Sequence, residues 1–221
     1  MTLVKNAELF AKSKHAGKLK KSGITYSKHL EEVVSRLKSL GVIDEEVLCT
    51  GWLHDILEDT DTSFDELFEK FGRRIAVLTL SLTKTKFVID INDNSTFTLT
   101  KKKTLLKKQR QKDYGIKLKE SEVDAKIIKL CDISANLGSL KKQVISKTKK
   151  RAVLRELRYY LSIIQKEIME DAKYQNATTL LETINQNLKI QSQPTSKSKE
   201  SRSKLKKIDS KKRQMKTRIK Y

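Results

Sequence analysis

The chain has 221 residues and a formal net charge of +21, and hydrophobic residues make up 37% of it. Because it contains only 7 Gly and 1 Pro, it favours long helices over a β-sandwich or a doubly wound sheet. Its 2 cysteines allow at most one disulfide, so we expect reduced thiols in a cytoplasmic protein. It has no apolar run near the ~18 residues of a membrane span, so we expect no membrane contact.

The positive charge is concentrated at the C-terminus. Residues 191–221 contain 12 Lys and Arg but only 2 acidic residues, Glu200 and Asp209, and almost no apolar side chains. This composition predicts a disordered basic tail after a single helical domain that spans 1–190. Such a tail can contact nucleic acid or the ribosome electrostatically, or it can only keep the protein soluble, and the sequence leaves both open.

Apolar residues at helical spacing predict a succession of helices along the chain. Gly41 is expected to end the second helix and Asp44 to cap the third. Thr62 or Ser63 is expected to cap the next, with Glu66 three residues after Ser63 as in a capping box. The predicted helices cover 3–20, 26–40, 44–60, 63–71, 73–82, 101–119, 122–140 and 151–189.

One segment departs from this helical pattern. Residues 87–91 and 96–100 are rich in β-branched and aromatic side chains, and residues 92–95 between them are typical of a turn. We therefore predict a β-hairpin at 86–102, inserted into an otherwise all-α bundle.

A short stretch of the third helix carries the strongest chemical signal. On a continuous helix His54 and Glu58 lie one turn apart on one face, with Asp55 and Asp59 beside them. Apolar neighbours indicate that this face is not simply solvated, and burying three carboxylates is costly unless a cation neutralises them. Gly51, one turn earlier, would let another segment approach closely. The plainer alternative is a solvated helix end with a capping histidine.

A second polar group lies on the helix predicted over 122–140. Asp132 and Asn136 are four residues apart and therefore share a face, with Lys129 one turn before them. This face is separate from the apolar stripe that would pack the helix against the core.

Two imidazoles and two carboxylates can be combined into one site, made of His29, His54, Asp55 and Asp132. Such mixed nitrogen and oxygen sites suit Mn²⁺, Fe²⁺ or Zn²⁺, with positions left open for water and a substrate oxygen. Acidic side chains one turn after the ligands are placed to take a proton from that water. Spacing alone does not assign the distant members of the set, which is therefore a hypothesis.

Three motifs follow one another along the chain. Residues 14–29 read KHAGKLKKSGITYSKH, residues 52–60 read WLHDILEDT, and residues 129–140 read KLCDISANLGSL. Together they resemble the hydrolase domain of the RelA/SpoT family, including its small stand-alone members, within the HD phosphohydrolase superfamily. A His-Asp pair alone would be weak evidence, but the ordered combination is specific.

The resemblance implies an all-α, HD-domain helical bundle that removes the 3′-pyrophosphate from guanosine tetra- or pentaphosphate. It implies manganese as the usual metal, with four ligand positions: His29, His54, Asp55 and Asp132. It also implies a water-activating pair and a set of nucleotide-binding positions: Glu58 and Asp59, and Lys20, Lys21, Asn136 and Ser139.

Several positions depart from the family pattern. Lys20 replaces the arginine that stacks on guanine and lacks its planar guanidinium, and Gly138 stands at another arginine position. The metal and water-activating positions are intact, so we expect a competent hydrolase whose substrate can also be another phosphorylated nucleotide. His15, the third histidine, is expected to have a core or hydrogen-bonding role and not to bind the metal.

Two functions other than nucleotide hydrolysis stay open. The helical domain could be the platform of a nucleic-acid-associated protein that binds through its basic tail, or the HD site could cleave nucleic acid. The intact ligand set favours a Mn²⁺-dependent nucleotide pyrophosphohydrolase over a binding scaffold. The sequence does not determine the oligomeric state.

Overall fold

The chain folds into ten α-helices within the residues that the computed structural model describes, which are 1–20, 23–85 and 99–193. The helices are α1 (Leu3–Lys14), α2 (Tyr26–Ser39), α3 (Glu45–Leu53), α4 (Ile56–Asp59), α5 (Phe64–Phe71), α6 (Arg73–Leu82), α7 (Leu99–Glu120), α8 (Val123–Leu140), α9 (Lys147–Glu170) and α10 (Ala177–Ser192), with a short 3₁₀ helix at Ala172–Tyr174. Extended pairing in these ranges is limited to an isolated bridge between Leu19 and Thr25. The all-α class is confirmed.

The β-hairpin predicted at 86–102 is wrong where the structure describes it. Residues 99–102 form the first turn of α7, and 86–98 lie outside the described residues. Leu99 and the lysines and leucines that follow Thr100 are good helix formers, so the helix begins inside the segment that was predicted to be a strand. The predicted basic tail also lies outside the described residues, apart from 191–193, where α10 ends.

Helix starts follow the predicted caps. Asp44 accepts hydrogen bonds from the backbone N–H groups of Glu46 and Val47, and Ser63 accepts one from Glu66. Gly72 separates α5 from α6 with φ at 84°, a conformation that only glycine adopts readily.

Two predicted helices are shorter than the sequence pattern suggests. α1 ends at Lys14 and not near residue 20, because Gly17 turns the chain with φ at 73° and the bridge at Leu19 folds the basic segment back. The long helix predicted over 151–189 is divided into α9 and α10. The division falls at Asp171, whose side chain accepts a hydrogen bond from the backbone N–H of Lys173.

The third predicted helix is interrupted at His54 and Asp55, so that α3 ends at Leu53 and α4 begins at Ile56. Nδ1 of His54 bonds to the carbonyl oxygen of Gly51 at 2.9 Å. In a continuous helix, the backbone N–H of residue 55 would use that carbonyl. The prediction of one straight helix through 53–60 is therefore wrong at the two residues that matter most for the site.

Helix α3 lies at the centre of the fold and packs against α1, α2, α6 and α8. An added Cβ on Gly51 would lie 2.7 Å from Leu37 Cδ1, which confirms the close approach predicted from this glycine. Helix α9 buries an apolar seam, made of Leu154, Leu157, Leu161, Ile164 and Ile168. Among the described helices, none is long and apolar enough to cross a membrane.

Candidate metal centre and active site

Three parts of the fold bring the four predicted ligands together. His29 comes from the first turn of α2, His54 and Asp55 from the break between α3 and α4, and Asp132 from α8. Nε2 of His29 lies 3.3 Å from Asp132 Oδ1 and 3.8 Å from Asp55 Oδ2. Nε2 of His54 lies 3.3 Å from Asp55 Oδ2 and 3.9 Å from Asp132 Oδ1. The four side chains therefore converge.

Both histidines direct Nε2 towards the carboxylates. The bond from Nδ1 of His54 to the Gly51 carbonyl assigns its proton to Nδ1 and leaves Nε2 with a free lone pair. Nε2 of His29 and Nε2 of His54 are buried, and neither has a hydrogen-bond partner among the described residues. Buried polar atoms are normally paired, and a cation bound between these two nitrogens and the carboxylate oxygens of Asp55 and Asp132 would pair them.

The donor set fits a divalent metal ion. One ligand atom from each of His29, His54 and Asp55 lies within 4.8 Å of the others, and this cluster could hold a metal. Imidazole nitrogens combined with carboxylate oxygens suit Mn²⁺, Fe²⁺ and Zn²⁺. Asp132 lies next to the cluster, at the distances given above.

The two carboxylates are held in their charged form. Lys129 Nζ donates to Asp132 Oδ2 at 2.8 Å, and Asn136 Nδ2 donates to Oδ1 at 2.6 Å. Burial opposes ionisation of Asp132, but the charge of Lys129 outweighs it and holds the pKa well below its ordinary value. Burial also opposes ionisation of Asp55, but the charge of His54, when that imidazole is protonated, and the charge of Lys20 outweigh it, so that this pKa too is well below its usual range. Metal ligands must be deprotonated, and both groups are.

Glu58 lies on α4, one turn beyond the predicted ligand His54, and is held from two sides. Arg110 Nη2 of α7 lies 2.9 Å from Oε1, and the backbone N–H of Lys84 donates to Oε2 at 3.4 Å. The same Nη2 of Arg110 also donates to the carbonyl oxygen of Lys84 at 3.4 Å.

Asp59 is exposed and has a different partner from Glu58. The hydroxyl of Tyr26 donates to its carboxylate and also lies 2.6 Å from Asp55 Oδ2, so it bridges the two acids. Burial and the charge of Asp55 raise the pKa of Tyr26, which keeps its hydroxyl a donor. Tyr26 was missed in the sequence, although it lies three residues before His29 and hence on the same face of α2.

A cleft of about 430 Å³ opens beside the ligands, a size typical of small-molecule sites. The predicted substrate positions Lys20, Asn136 and Ser139 line it. Lys20 Nζ lies 4.0 Å from Asp55 Oδ2 and 3.4 Å from Asn136 Oδ1, so its ammonium points towards the acidic cluster. The hydroxyl of Ser139 donates to the Asn136 carbonyl at 3.0 Å. Lys21 lies outside the described residues.

The wall of the cleft formed by α9 and the end of α6 carries polar groups that sequence reasoning missed. Lys84 Nζ lies 3.3 Å from Glu156 Oε1 and 5.4 Å from the centre of the Tyr160 ring. Both Lys84 and Glu156 line the cleft. They are 72 residues apart, and no local spacing in the sequence links them.

His15 is buried behind the site and does not join the ligand cluster. Its Nδ1 bonds to the carbonyl oxygen of Ala11 at 2.9 Å, and its ring stacks on Tyr26 with centroids 4.5 Å apart. Burial lowers its pKa. The predicted core or hydrogen-bonding role is confirmed.

Comparison with known proteins supports this architecture. The profile of a family described as HD domain matches residues 7–163. The chain is 42% identical over 81 residues to the guanosine-3′,5′-bis(diphosphate) 3′-pyrophosphohydrolase of Aquifex aeolicus, which is 37% of this chain and 12% of that protein. It is 28% identical over 196 residues to the protein of the same name from Spiroplasma citri, which is 82% of this chain and 25% of that protein.

A solved structure has the same fold. It is described as a metazoan ortholog of SpoT that hydrolyzes ppGpp and plays a role in starvation responses. The TM-score is 0.66 with 22% sequence identity, and the match covers 83% of this chain and 94% of that one. The chain thus spans at most a quarter of the two curated relatives described above but nearly all of this structural neighbour.

Proposed function

Because the chain belongs to the HD domain family, we propose that its cleft is the active site of a metal-dependent hydrolase that removes the 3′-pyrophosphate from guanosine tetra- or pentaphosphate. The observation that carries this proposal is the pair of buried, unpartnered Nε2 atoms facing two carboxylates at the edge of the cleft. The relatives from Aquifex aeolicus and Spiroplasma citri are named for this reaction.

His29, His54, Asp55 and Asp132 would hold the metal, and Mn²⁺ is the proposed ion, with Zn²⁺ or Fe²⁺ as alternatives. A divalent cation there would lower the pKa of adjacent water and offset the charge of phosphate oxygens. Glu58 and Asp59 line the same cleft, and one of them would accept the proton of the attacking water.

The substrate side of the cleft would bind phosphate through its cations. Lys20 and Lys84 line it, and Lys21 is proposed to join them. Asn136 and Ser139 would bind the nucleotide by hydrogen bonds. Because Lys20 has no planar group to stack on a purine, another phosphorylated nucleotide is the alternative substrate.

Contact of residues 191–221 with nucleic acid or the ribosome is a separate proposal, which rests on charge alone. Its test is retention on immobilised RNA over a salt series, with and without these residues. A tail that contributes binding should steepen the dependence on salt, whereas equal retention of the two proteins would overturn the proposal.

The proposed reaction is tested by measuring pyrophosphate release from guanosine tetraphosphate with Mn²⁺, beside an Asp55→Ala variant. We expect the wild-type protein to release pyrophosphate and the Asp55→Ala variant to be inactive. A protein that binds Mn²⁺ but leaves this nucleotide intact would move the search to other phosphorylated nucleotides. A protein that binds no divalent metal would overturn the hydrolase proposal.

A further inference from the structure

Glu58 and Asp59, the two acids proposed to activate water, are held very differently. The Asp59 carboxylate is exposed, and among the described side chains it accepts a hydrogen bond only from the Tyr26 hydroxyl. The Glu58 carboxylate has a partner on each oxygen, Arg110 on Oε1 and the Lys84 backbone on Oε2. A carboxylate held on both oxygens has one orientation.

Arg110 reaches Glu58 from behind the cleft. Glu58 lines the cleft, whereas Arg110 is not among its lining residues. The two side chains are partly buried, with exposed fractions of 33% for Arg110 and 23% for Glu58. Nε of Arg110 is buried without a hydrogen-bond partner in the described structure. The hydrogen bonds of the guanidinium come from Nη2, which donates to the Glu58 carboxylate and to the Lys84 carbonyl oxygen.

The position of Arg110 is set by the docked half of α7. Tyr114, one turn later on the same face, is 1% exposed, and Leu118, a turn further on, is fully buried. Between them Lys117 Nζ donates to the Thr83 carbonyl oxygen at 2.8 Å, at the end of α6. These contacts do not involve Arg110, so α7 would stay docked without its guanidinium.

We propose that Arg110 is a positioning residue, which holds the Glu58 carboxylate in the orientation for taking a proton from the attacking water. This inference rests on the proposed function and assigns the proton-accepting role to Glu58 in preference to Asp59. Arg110 acts through Glu58 and does not contact substrate. A misplacement of a reacting group by about 1 Å can lower a rate by 10²-fold. Loss of the single ion pair that positions Glu58 can therefore lower kcat measurably.

The first test is Arg110→Ala, with Lys112→Ala as the matched control. Lys112 lies on the same helix and is exposed, so the control removes the same charge without touching Glu58. We expect kcat of Arg110→Ala to fall about 10- to 100-fold with KM changed less than about 2-fold. The control should keep the wild-type kcat, and both variants should keep the wild-type Tm and Mn²⁺ affinity.

The second test separates positioning from a direct role. In a Glu58→Gln background, Arg110→Ala should lower kcat no further, because both changes act on the same carboxylate. Guanidinium chloride added to Arg110→Ala should restore part of the lost kcat, and Arg110→Lys should lose less than Arg110→Ala. A raised KM, or a further loss of kcat in the Glu58→Gln background, would overturn the inference, because Arg110 would then bind substrate.

A third measurement distinguishes failure of this inference from failure of the proposed reaction. A crystal structure of Arg110→Ala should show the Glu58 carboxylate turned away from its wild-type position, whatever nucleotide the enzyme accepts. An unmoved Glu58 would overturn the inference even if guanosine tetraphosphate is hydrolysed. If only the proposed function is wrong, the wild-type protein will not hydrolyse guanosine tetraphosphate, but the Glu58 carboxylate will still be displaced in Arg110→Ala.

Discussion

Two clusters of charged groups in this molecule differ in how completely their atoms are paired. The first is the Asp124 network, formed by Asp124, Arg74, Lys173 and Tyr174. Arg74 donates to one oxygen of Asp124, while Lys173, at 2.8 Å, and the Tyr174 hydroxyl donate to the other. Arg74 also binds Asp44, the cap of α3. Both oxygens of the Asp124 carboxylate thus have partners.

The second cluster is the candidate metal centre, where two buried imidazole nitrogens face carboxylates and have no hydrogen-bond partner among the described residues. Within a low-dielectric interior, an unpaired polar atom destabilises the fold and a paired one does not. The comparison indicates that the Asp124 network is complete and serves the fold, whereas the candidate metal centre would be completed by a bound cation. Four predictions probe this difference.

The largest effect is expected for His54→Asn. The asparagine amide can still donate to the Gly51 carbonyl in place of Nδ1, but it has no atom at the position of Nε2. Activity with Mn²⁺ should fall by about 10³-fold or more, because a catalytic metal contributes several kcal/mol to the transition state. Steady-state kinetics measures this loss. A variant within tenfold of wild type would remove His54 from the ligand set.

A smaller effect, on stability and not on chemistry, is expected for Asp124→Asn. The free energy of unfolding, measured by urea denaturation without metal, should fall by about 1–3 kcal/mol, since the buried carboxylate loses its charged hydrogen bonds to Arg74 and Lys173, which are themselves partly exposed. Below its melting temperature the variant should keep its activity. The control Glu170→Gln removes an exposed pair with Lys166 and should change stability by less than about 0.5 kcal/mol. Equal effects of the two changes would contradict the distinction between the clusters.

Metal binding should stabilise the fold through one cluster only. At a Mn²⁺ concentration 100 times Kd, wild type should gain about 2.7 kcal/mol of unfolding free energy. Asp124→Asn should gain the same amount, and His54→Asn should gain almost none. Thermal denaturation with and without EDTA measures the gain. Stabilisation of His54→Asn by Mn²⁺ would place the metal elsewhere.

The smallest effect compares two tyrosines, Tyr26 partly buried and Tyr174 buried, whose hydroxyl groups each donate to an aspartate. Tyr26→Phe removes the hydroxyl that bridges Asp55 and Asp59, and it should weaken Mn²⁺ binding about 10-fold, a typical loss for a residue that orients a ligand. Tyr174→Phe removes the hydroxyl bound to Asp124 and should leave Mn²⁺ affinity unchanged. Calorimetric titration gives both values, and weaker binding in Tyr174→Phe would show that the clusters are coupled.

The fold was largely predictable from the sequence because its signals are local. Helix caps such as Asp44 and Ser63, and apolar spacing such as the seam on α9, depend on residues a few positions apart. The helix interruptions were missed because each depends on one side chain competing for the backbone, His54 in one case and Asp171 in the other. The spacing of apolar residues, from which the helices were predicted, does not reveal a single side chain that hydrogen-bonds to the backbone.

The site was predictable only where a motif links its residues. Spacing proposed the Asp132 and Asn136 pair, and family resemblance joined them to His29 and His54. Residues that reach the site from α6, α7 and α9 come from segments without a motif. Arg110 and Lys84 act on Glu58 across 52 and 26 residues. These contacts depend on how the helices pack in the tertiary structure, so they cannot be predicted from local sequence spacing.

The interruption between α3 and α4 has a geometric consequence. Neighbouring residues on an α-helix point about 100° apart, so adjacent side chains on a straight helix diverge. The break lets His54 and Asp55 turn their polar atoms to within 3.3 Å of each other. Two adjacent residues could therefore bind one metal ion from a single bend of the chain. Grafting the same dipeptide onto an unbroken helix of another protein would not reproduce it; the kink must be transferred with the side chains.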